Sequence, residues 1–238
     1  MHGFVALDLE LTPFSGDQQR IIEVAAVKFR GPVVADSFST LVDPCCDLNL
    51  RVEKLTGICQ KQVDRAPSIE EVLPRLVSFI GDDTLVGQSI DLDLEHLARC
   101  GVRISNRFYD TFELATLLLP GLPAYDLGSI AAFLGVAREG EHRALSDAVV
   151  AGRVFLALLE RASRLSLEVL GQINALAARL PDWPFADLFR EVQRLKLKDH
   201  FQQPTSSTPR PAGASSSTAP GSASTSPSAH PLRPSPEL

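Results

Sequence analysis

Residues 4–10, with the sequence FVALDLE, form an apolar run that two carboxylates, Asp8 and Glu10, interrupt near its end. The run predicts a short buried strand. Because side chains alternate along a strand, Asp8 and Glu10 project from one face, about 7 Å apart. Two like charges on a buried strand repel each other and are costly to desolvate. Two interpretations stay open: the pair holds a divalent cation such as Mg²⁺ or Mn²⁺, or it lies on an edge strand in water.

The segments that follow predict an α/β protein with a mixed sheet. Two β-rich runs, residues 21–29 and 33–42, predict an antiparallel meander with the first strand. Ser68 and Glu71 form a capping box ahead of apolar residues at helical spacing. Helices and short strands then alternate, as in sheets that contain parallel strands. The remaining predicted elements are a turn-rich loop at 12–17, helices at 51–55, 69–80, 91–100, 112–119, 127–134 and 144–159, a strand at 84–87 and an extended run at 102–109.

The end of the chain differs from the rest. Residues 203–238 contain 8 Pro and 10 Ser and no aromatic residue, a composition that predicts a disordered tail. Two helices, at 166–180 and 184–198, precede it. We therefore predict a domain at 1–162, a helical extension at 163–202 and the tail. The second helix carries an apolar stripe that either packs on the body or docks a partner: Phe185, Leu188, Phe189, Val192 and Leu195.

Charge and composition limit the classes of function. The net charge is -6, and residues 1–160 carry 14 Lys and Arg against 23 Asp and Glu. This balance argues against a broad basic face for duplex binding, although metal ions could still hold a nucleic acid at one end. The four cysteines match no zinc pattern and are expected to be reduced. Without a signal peptide or a membrane-spanning run, we expect a soluble, cytoplasmic protein with no membrane partner.

Three further residues extend the candidate site. Asp93 follows a strand that ends at Gly87, so it lies at the carboxyl edge of the sheet, where ligands bind in α/β folds. Asp147 lies in the first turns of an apolar helix, and His142 lies just ahead of it, where an imidazole can accept a proton from water. Taken singly, Asp93 also fits a hydrated helix acid, and His142 a surface histidine. His96 is predicted on an exposed helix face.

The ordered set Asp-x-Glu, Asp, His-x4-Asp resembles the DEDDh 3′–5′ exonucleases, the family of DnaQ-type proofreading subunits. The resemblance runs from about residue 4 to 159 and includes the segments RIIEVAAV at 20–27, LTG at 55–57, APS at 66–68 and LPGLPAYDLGSIAAFL at 119–134. Residues 142–148, HRALSDA, match the third motif of that family almost letter for letter. The resemblance implies a ribonuclease H-like mixed sheet flanked by helices.

The resemblance also implies the roles of the site residues. Two Mg²⁺ or Mn²⁺ ions would be bound by the four acids Asp8, Glu10, Asp93 and Asp147. His142 would deprotonate the attacking water, and a nucleoside 5′-monophosphate would leave the 3′ end. The substrate would contact Leu9, Leu11 and Thr12. The chain departs from the family at Leu11-Thr12-Pro13, where Thr-Thr-Gly is common, and at Gln88, Ser89 and Leu92, where His-Asn and Phe are common.

The resulting expectation is a metal-dependent 3′–5′ exonuclease that acts on single-stranded or frayed DNA in repair or proofreading. An RNA 3′-end trimming exonuclease and a catalytically weak module that binds nucleic acid or a polymerase are the alternatives. The helices after residue 159 resemble the linker that joins such exonucleases to DinG-type helicases, so a polymerase or helicase is the expected partner. No Gly-rich phosphate loop with Lys-Ser/Thr follows, so a helicase is absent from this chain.

Overall fold

One mixed five-stranded sheet underlies the fold of the protein. This computed structural model describes residues 3–12, 19–138, 140, 142–180 and 182–202. The strands are β1 (Phe4–Leu11), β2 (Ile21–Arg30), β3 (Val33–Leu41), β4 (Leu85–Gly87) and β5 (Phe108–Asp110). Their order in the sheet is β3-β2-β1-β4-β5. Strand β2 pairs antiparallel with both β1 and β3, whereas β4 pairs parallel with both β1 and β5. The predicted meander and mixed sheet are confirmed.

The helices follow the order predicted from the sequence. The capping box at Ser68 is present, because the Ser68 N–H donates to Glu71 at 3.0 Å at the start of the third helix. The helix at 60–63 was not predicted, and the predicted extended run at 102–109 is paired only from 108 to 110. The helices are α1 (Leu50–Thr56), α2 (Gln60–Val63), α3 (Ile69–Ile80), α4 (Ile90–Arg99), α5 (Thr111–Leu118), α6 (Leu127–Leu134), α7 (Ala144–Ser163), α8 (Leu167–Ala177) and α9 (Ala186–Gln202).

Strand β1 separates two apolar clusters, one on each face of the sheet. Val5 and Leu7 pack on the face that α3 and α4 cover, whereas Phe4 and Ala6 pack on the face that α7 covers. Since the side-chain period of a strand is two, Asp8 and Glu10 belong to the α7 face. The sequence FVALDLE thus directs both carboxylates towards the helix that carries Asp147.

Helix α7 packs closely on the sheet at Gly152. A Cβ atom on Gly152 would meet Cε2 of Phe29 at 2.3 Å, a distance that no side chain tolerates. Glycine at this point of α7 therefore lets the helix pack directly on β2. The helix runs to Ser163, four residues beyond its predicted end at 159, because Ala162 is buried in the same cluster.

The last two helices share the core of the sheet. Phe185, Leu188 and Phe189 are 1 to 3% exposed and belong to the cluster on the α7 face. The ring of Phe185 stacks on Tyr109 of β5 with centroids 5.9 Å apart. For these residues the packing interpretation of the apolar stripe is confirmed, whereas Leu195 at its end is 45% exposed.

The predicted boundary at 162 falls within α7. The predicted tail at 203–238 lies outside the described residues, as does most of the predicted loop at 12–17.

One prediction about a histidine is wrong. His96 is 8% exposed rather than on an exposed helix face. It follows Asp93 by three residues, so both side chains lie on the inner face of α4 with Leu97. Burial lowers the pKa of the His96 imidazole.

In the described part of the chain, no helix combines the length and the apolar character that crossing a membrane requires.

Candidate active site

Three carboxylates from two elements converge at the carboxyl end of β1. Asp8 and Glu10 come from the strand and Asp147 from α7, and their ligand oxygens all lie within 4.8 Å of one another. Asp147 is 7% exposed, and its N–H donates to the carbonyl of Arg143 in the first turn of the helix. The structure therefore brings together three of the four predicted metal-binding acids.

Asp93 reaches the same region from the first turn of α4. It is 9% exposed and lies outside the group of oxygens within 4.8 Å, but its charge raises the pKa of Asp8. The turn before it is tight, because Ser89 has a left-handed backbone with φ of 53°. Asp110 stabilises this turn by accepting hydrogen bonds from the N–H groups of Ser89 at 3.0 Å and Ile90 at 3.1 Å. The end of β5 thus holds the start of α4 in place.

The pKa values of these acids are raised in the folded protein. Burial raises the pKa of Asp8 well above its usual value, and the charges of Asp93 and Glu10 raise it further. Burial, followed by the charges of Asp147 and Glu23, raises the pKa of Glu10 to about 7. The pKa of Asp93 is also raised, first by burial and then by Glu10. The ionised forms of these carboxylates are therefore disfavoured in the protein alone, and bound cations would stabilise them.

The donor set fits a hard divalent cation. Mg²⁺ and Mn²⁺ are bound in proteins mainly through carboxylate oxygens, and Asp8, Glu10 and Asp147 present such oxygens from rigid elements. A zinc or copper site would instead be expected to include imidazole or thiolate ligands. The convergence of oxygen donors therefore favours the metals that the sequence predicted.

Glu23 is a further acid at the site, and it is not among the residues predicted from the sequence. It lies opposite Glu10 in the β1–β2 register and is 1% exposed. Its carboxylate accepts hydrogen bonds from Nε and Nη2 of Arg143 at 3.0 and 2.7 Å, and from the N–H of Ala144 at 3.0 Å. An acid within the otherwise apolar strand sequence IIEVAAV at 21–27 is the available signal. Glu23 attaches the start of α7 to β2.

His142 lies directly before this attachment, at the edge of a cleft. The cleft has a volume of about 610 Å³ and is lined by Asp8, Asp147, His142, Arg138 and the first turn of α6. His142 is half-buried and has a left-handed backbone with φ of 56°. The predicted general base and two of the predicted metal ligands therefore face one cavity.

Gln88 and Leu92 stand at positions where the family commonly has other residues. Gln88 lines the cleft, donates to the Tyr125 carbonyl at 2.8 Å and accepts from the Thr111 hydroxyl at 2.6 Å. Leu92 is 54% exposed on α4. Gln88 is thus fixed on both sides, and its amide forms a rigid part of the cleft wall.

The predicted substrate-binding residues lie at the end of β1. The side chain of Leu9 is 8% exposed and packs in the apolar cluster on the face of the sheet that α3 and α4 cover, while Leu11 is partly exposed. The Thr12 hydroxyl accepts a hydrogen bond from the N–H of Arg20 at 2.8 Å. A nucleotide could therefore meet Leu9 only through its backbone. The roles of these three residues stay predictions.

Comparison with known proteins supplies the family. Residues 5–155 match the exonuclease family model RNase T. The chain is 37% identical over 162 residues to the DNA polymerase III subunit epsilon of Aquifex aeolicus, which covers 66% of this chain and 80% of that subunit. It is 38% identical over 149 residues to the PolC-type DNA polymerase III of Clostridium perfringens, but this match covers 61% of the chain and only 10% of that polymerase.

Solved structures share the fold. The nuclease domain of 3′hExo, a DEDDh family member bound to rAMP, aligns with a TM-score of 0.57 and 20% identity over 67% of this chain and 92% of that domain. Exonuclease X in complex with 5′ overhanging duplex DNA aligns with a TM-score of 0.55 and 22% identity over the same share of each chain. The family match, the 37% identity to the epsilon subunit and the acidic cluster show that the chain belongs to the DEDDh, DnaQ-like family and is a 3′–5′ exonuclease.

Proposed function

We propose that this exonuclease removes nucleoside 5′-monophosphates from the 3′ ends of single-stranded or frayed DNA, in proofreading or repair in the cytoplasm. The observation that carries the proposal is the convergence of Asp8, Glu10 and Asp147 beside a cleft, which Asp8 and Asp147 line together with His142. The likeness to a DNA polymerase III subunit supports DNA over RNA as the substrate class.

The metal-binding roles follow from the donor set. Asp8, Glu10 and Asp147 would hold one or two Mg²⁺ or Mn²⁺ ions, with Asp93 completing the site from α4. Bound ions would supply the positive charge that keeps these carboxylates ionised and offsets the charge of a phosphodiester. The raised pKa values of Asp8 and Glu10 indicate how strongly the protein alone lacks that charge.

Other residues of the chain would transfer the proton and hold the site in position. His142 would accept a proton from a water molecule as that water attacks the phosphorus of the last phosphodiester. The bond from phosphorus to the 3′ oxygen of the preceding nucleotide would break, which frees the 5′-monophosphate. Glu23 would act at a distance, by holding Arg143 and Ala144 so that His142 stays beside Asp147.

The charge of the protein is consistent with binding at a chain end. The net charge is -6, so a long duplex would gain little attraction away from the site. A single 3′ terminus that enters the cleft needs only the local positive charge of bound metal ions and neighbouring cations. We therefore expect single strands and mismatched termini to be better substrates than paired termini, because their last base needs no unpairing.

A polymerase or helicase partner is also proposed. The buried part of the stripe on α9 is used by the body of the protein, so a partner would meet the outer surface of the last two helices. Exposed apolar side chains that could serve there are Leu176, Leu180, Leu195 and Leu197.

The test is a digestion series with oligonucleotides labelled at the 5′ end. Single-stranded DNA, duplexes with matched and mismatched 3′ termini, and RNA are each incubated with Mn²⁺ or with EDTA, beside the Asp8→Ala variant as the control. The expected result is stepwise shortening from the 3′ end, fastest on single-stranded and mismatched DNA and absent with EDTA or in the variant. Faster digestion of RNA would support the trimming alternative, and no digestion by the parent would support the binding module.

A further inference from the structure

Arg138 places a permanent positive charge inside the cleft. Its Nη2 donates to Oδ1 of Asp147 at 3.1 Å, and its side chain is only 20% exposed. Its Nη1 reaches the start of α6, where a Cβ on Gly128 would lie 2.8 Å from it. The guanidinium therefore spans the cleft from the acid cluster to α6, and Gly128 leaves the room that it occupies.

The first turn of α6 does not itself offer a binding site for an anion. Its cap residue Asp126 accepts hydrogen bonds from the N–H of Ser129 at 3.0 Å and from the Ser129 hydroxyl at 2.5 Å. The carboxylate of Asp126 would repel a phosphate that approached this turn. On this wall of the cleft, the cation that faces the substrate space is Arg138.

Asp147, which accepts a hydrogen bond from Arg138, is an oxygen donor that a metal ion would also use. When divalent ions bind Asp147, they compete with the guanidinium for the same carboxylate and repel its charge. A phosphodiester that enters with the ions offers new oxygen acceptors in the same cavity. A guanidinium is suited to this exchange, since its planar fork binds phosphate oxygens in pairs and it stays charged at any working pH.

The chain that follows Arg138 is attached to the sheet before it reaches Asp147. Gly140 and His142 have left-handed backbones, with φ of 80° and 56°. From Arg143 onward, the chain is held to β2 by Glu23. A shift of Arg138 therefore need not displace Asp147.

We propose that Arg138 is a substrate-binding residue that exchanges Asp147 for a phosphate oxygen of the 3′-terminal nucleotide when divalent ions and substrate bind. The proposal rests on the proposed function and deepens it. It assigns two opposite effects to one side chain, since Arg138 weakens metal binding in the free protein and strengthens substrate binding in the loaded one. A residue that merely supports the fold would not separate these effects.

The test uses the full chain and the variants Arg138→Gln and Arg138→Lys, with Arg179→Gln as the control. Arg179 is an exposed arginine just after α8, and it does not line the cleft. Titration calorimetry measures the affinity for Mn²⁺ without nucleic acid, and for thymidine 5′-monophosphate at saturating Mn²⁺. Steady-state kinetics on a single-stranded DNA oligonucleotide give kcat and KM, and thermal melting reports on stability.

For Arg138→Gln, Mn²⁺ affinity should rise severalfold. Its KM for DNA should rise, and its affinity for the monophosphate should fall, by about 10-fold or more, as expected for a lost charge-assisted hydrogen bond. Arg138→Lys should fall between the parent and Arg138→Gln, because lysine keeps the charge but not the fork. Arg179→Gln should match the parent in every measurement.

Two results would overturn the proposal. In one, Arg138→Gln keeps the parental KM and monophosphate affinity. In the other, it loses Mn²⁺ affinity and melts at a lower temperature, which would make Arg138 a structural support of Asp147. A parent that binds the monophosphate through Arg138 but degrades no nucleic acid would refute the proposed function and leave the Arg138 assignment in place.

Discussion

Glu23 and Arg143 form a two-pronged ion pair directly behind the acid cluster, with Nε and Nη2 of Arg143 at 3.0 and 2.7 Å from the two carboxylate oxygens. The Glu23 side chain is 2% exposed and that of Arg143 is 49% exposed, so the pair joins the interior of the sheet to the surface of α7. Because the N–H of Ala144 also donates to Glu23, one carboxylate fixes the first residue of α7. This point of attachment lies between His142 and Asp147 in the chain.

Glu23→Gln should therefore lower both stability and kcat. The amide keeps the shape of the side chain but loses the charge that Arg143 binds, and we expect a loss of about 1–3 kcal/mol in the free energy of unfolding. Urea unfolding measures this loss. Glu95→Gln is the matched control, because Glu95 pairs with Arg99 on an exposed helix face and should change stability by less than about 0.5 kcal/mol. Equal stability of the two variants would contradict the anchoring role.

Asp8→Ala and His142→Ala should separate metal binding from proton transfer. Asp8 lies at the centre of the acid cluster, so its loss should abolish Mn²⁺ binding in calorimetry together with activity. His142 lines the cleft outside that cluster, so His142→Ala should bind Mn²⁺ like the parent while kcat falls by about 10²–10⁴, the usual contribution of a general base. A His142→Ala protein with parental kcat would remove the assigned base.

Sequence patterns identified most of the fold because the signals were local. Alternation along β1, the capping box at Ser68 and the helical spacing of α3 each lie within a short window, and the structure contains all three. The extended run at 102–109 was predicted too long because its partner β4 has only three residues to pair with, and these end at Asp110 on β5. The length of a strand in a parallel sheet depends on its neighbour, which the sequence of one segment does not report.

The candidate site also contains some residues that sequence patterns predict and others that only the folded contacts reveal. The carboxylates and His142 are predicted from an order and spacing that resemble one family, whereas Glu23 and Arg138 depend on contacts made by folding. Glu23 meets a residue 120 positions away, and Arg138 meets Asp147, nine positions away. The prediction of an exposed His96 is wrong because its spacing of three residues from Asp93 turns it to the inner face of α4.

The metal-free protein should become less stable as the pH rises through the range in which Glu10 ionises. Its pKa is raised from 4.5 to about 7 in the folded protein, so between these values the folded state binds more protons than the unfolded state. Stability therefore falls with rising pH in that window, and the raised pKa of Asp8 acts in the same direction. Melting temperatures in EDTA across this range measure the effect, and Glu10→Gln should reduce it.

Added Mn²⁺ should reverse this trend, because the ion binds deprotonated carboxylates and competes with protons. The increase in melting temperature that Mn²⁺ produces should therefore grow as the pH rises through the same range. An increase that does not change with pH would mean that Mn²⁺ stabilises the protein somewhere other than at these acids.

The apolar stripe of α9 allows a comparison between a buried and an exposed position on one helix. Leu188 is 3% exposed in the core cluster, whereas Leu195, two turns later, is 45% exposed. Leu188→Asp places a charge in that core and should destabilise the protein by about 3 kcal/mol or more, while Leu195→Asp should leave the free energy of unfolding within about 0.5 kcal/mol of the parent. If the outer face of α9 docks a polymerase or helicase, Leu195→Asp should lose that partner in a binding assay and keep its activity on free oligonucleotides. Comparable destabilisation by both variants would show that the whole stripe packs on the body and would remove the proposed docking surface.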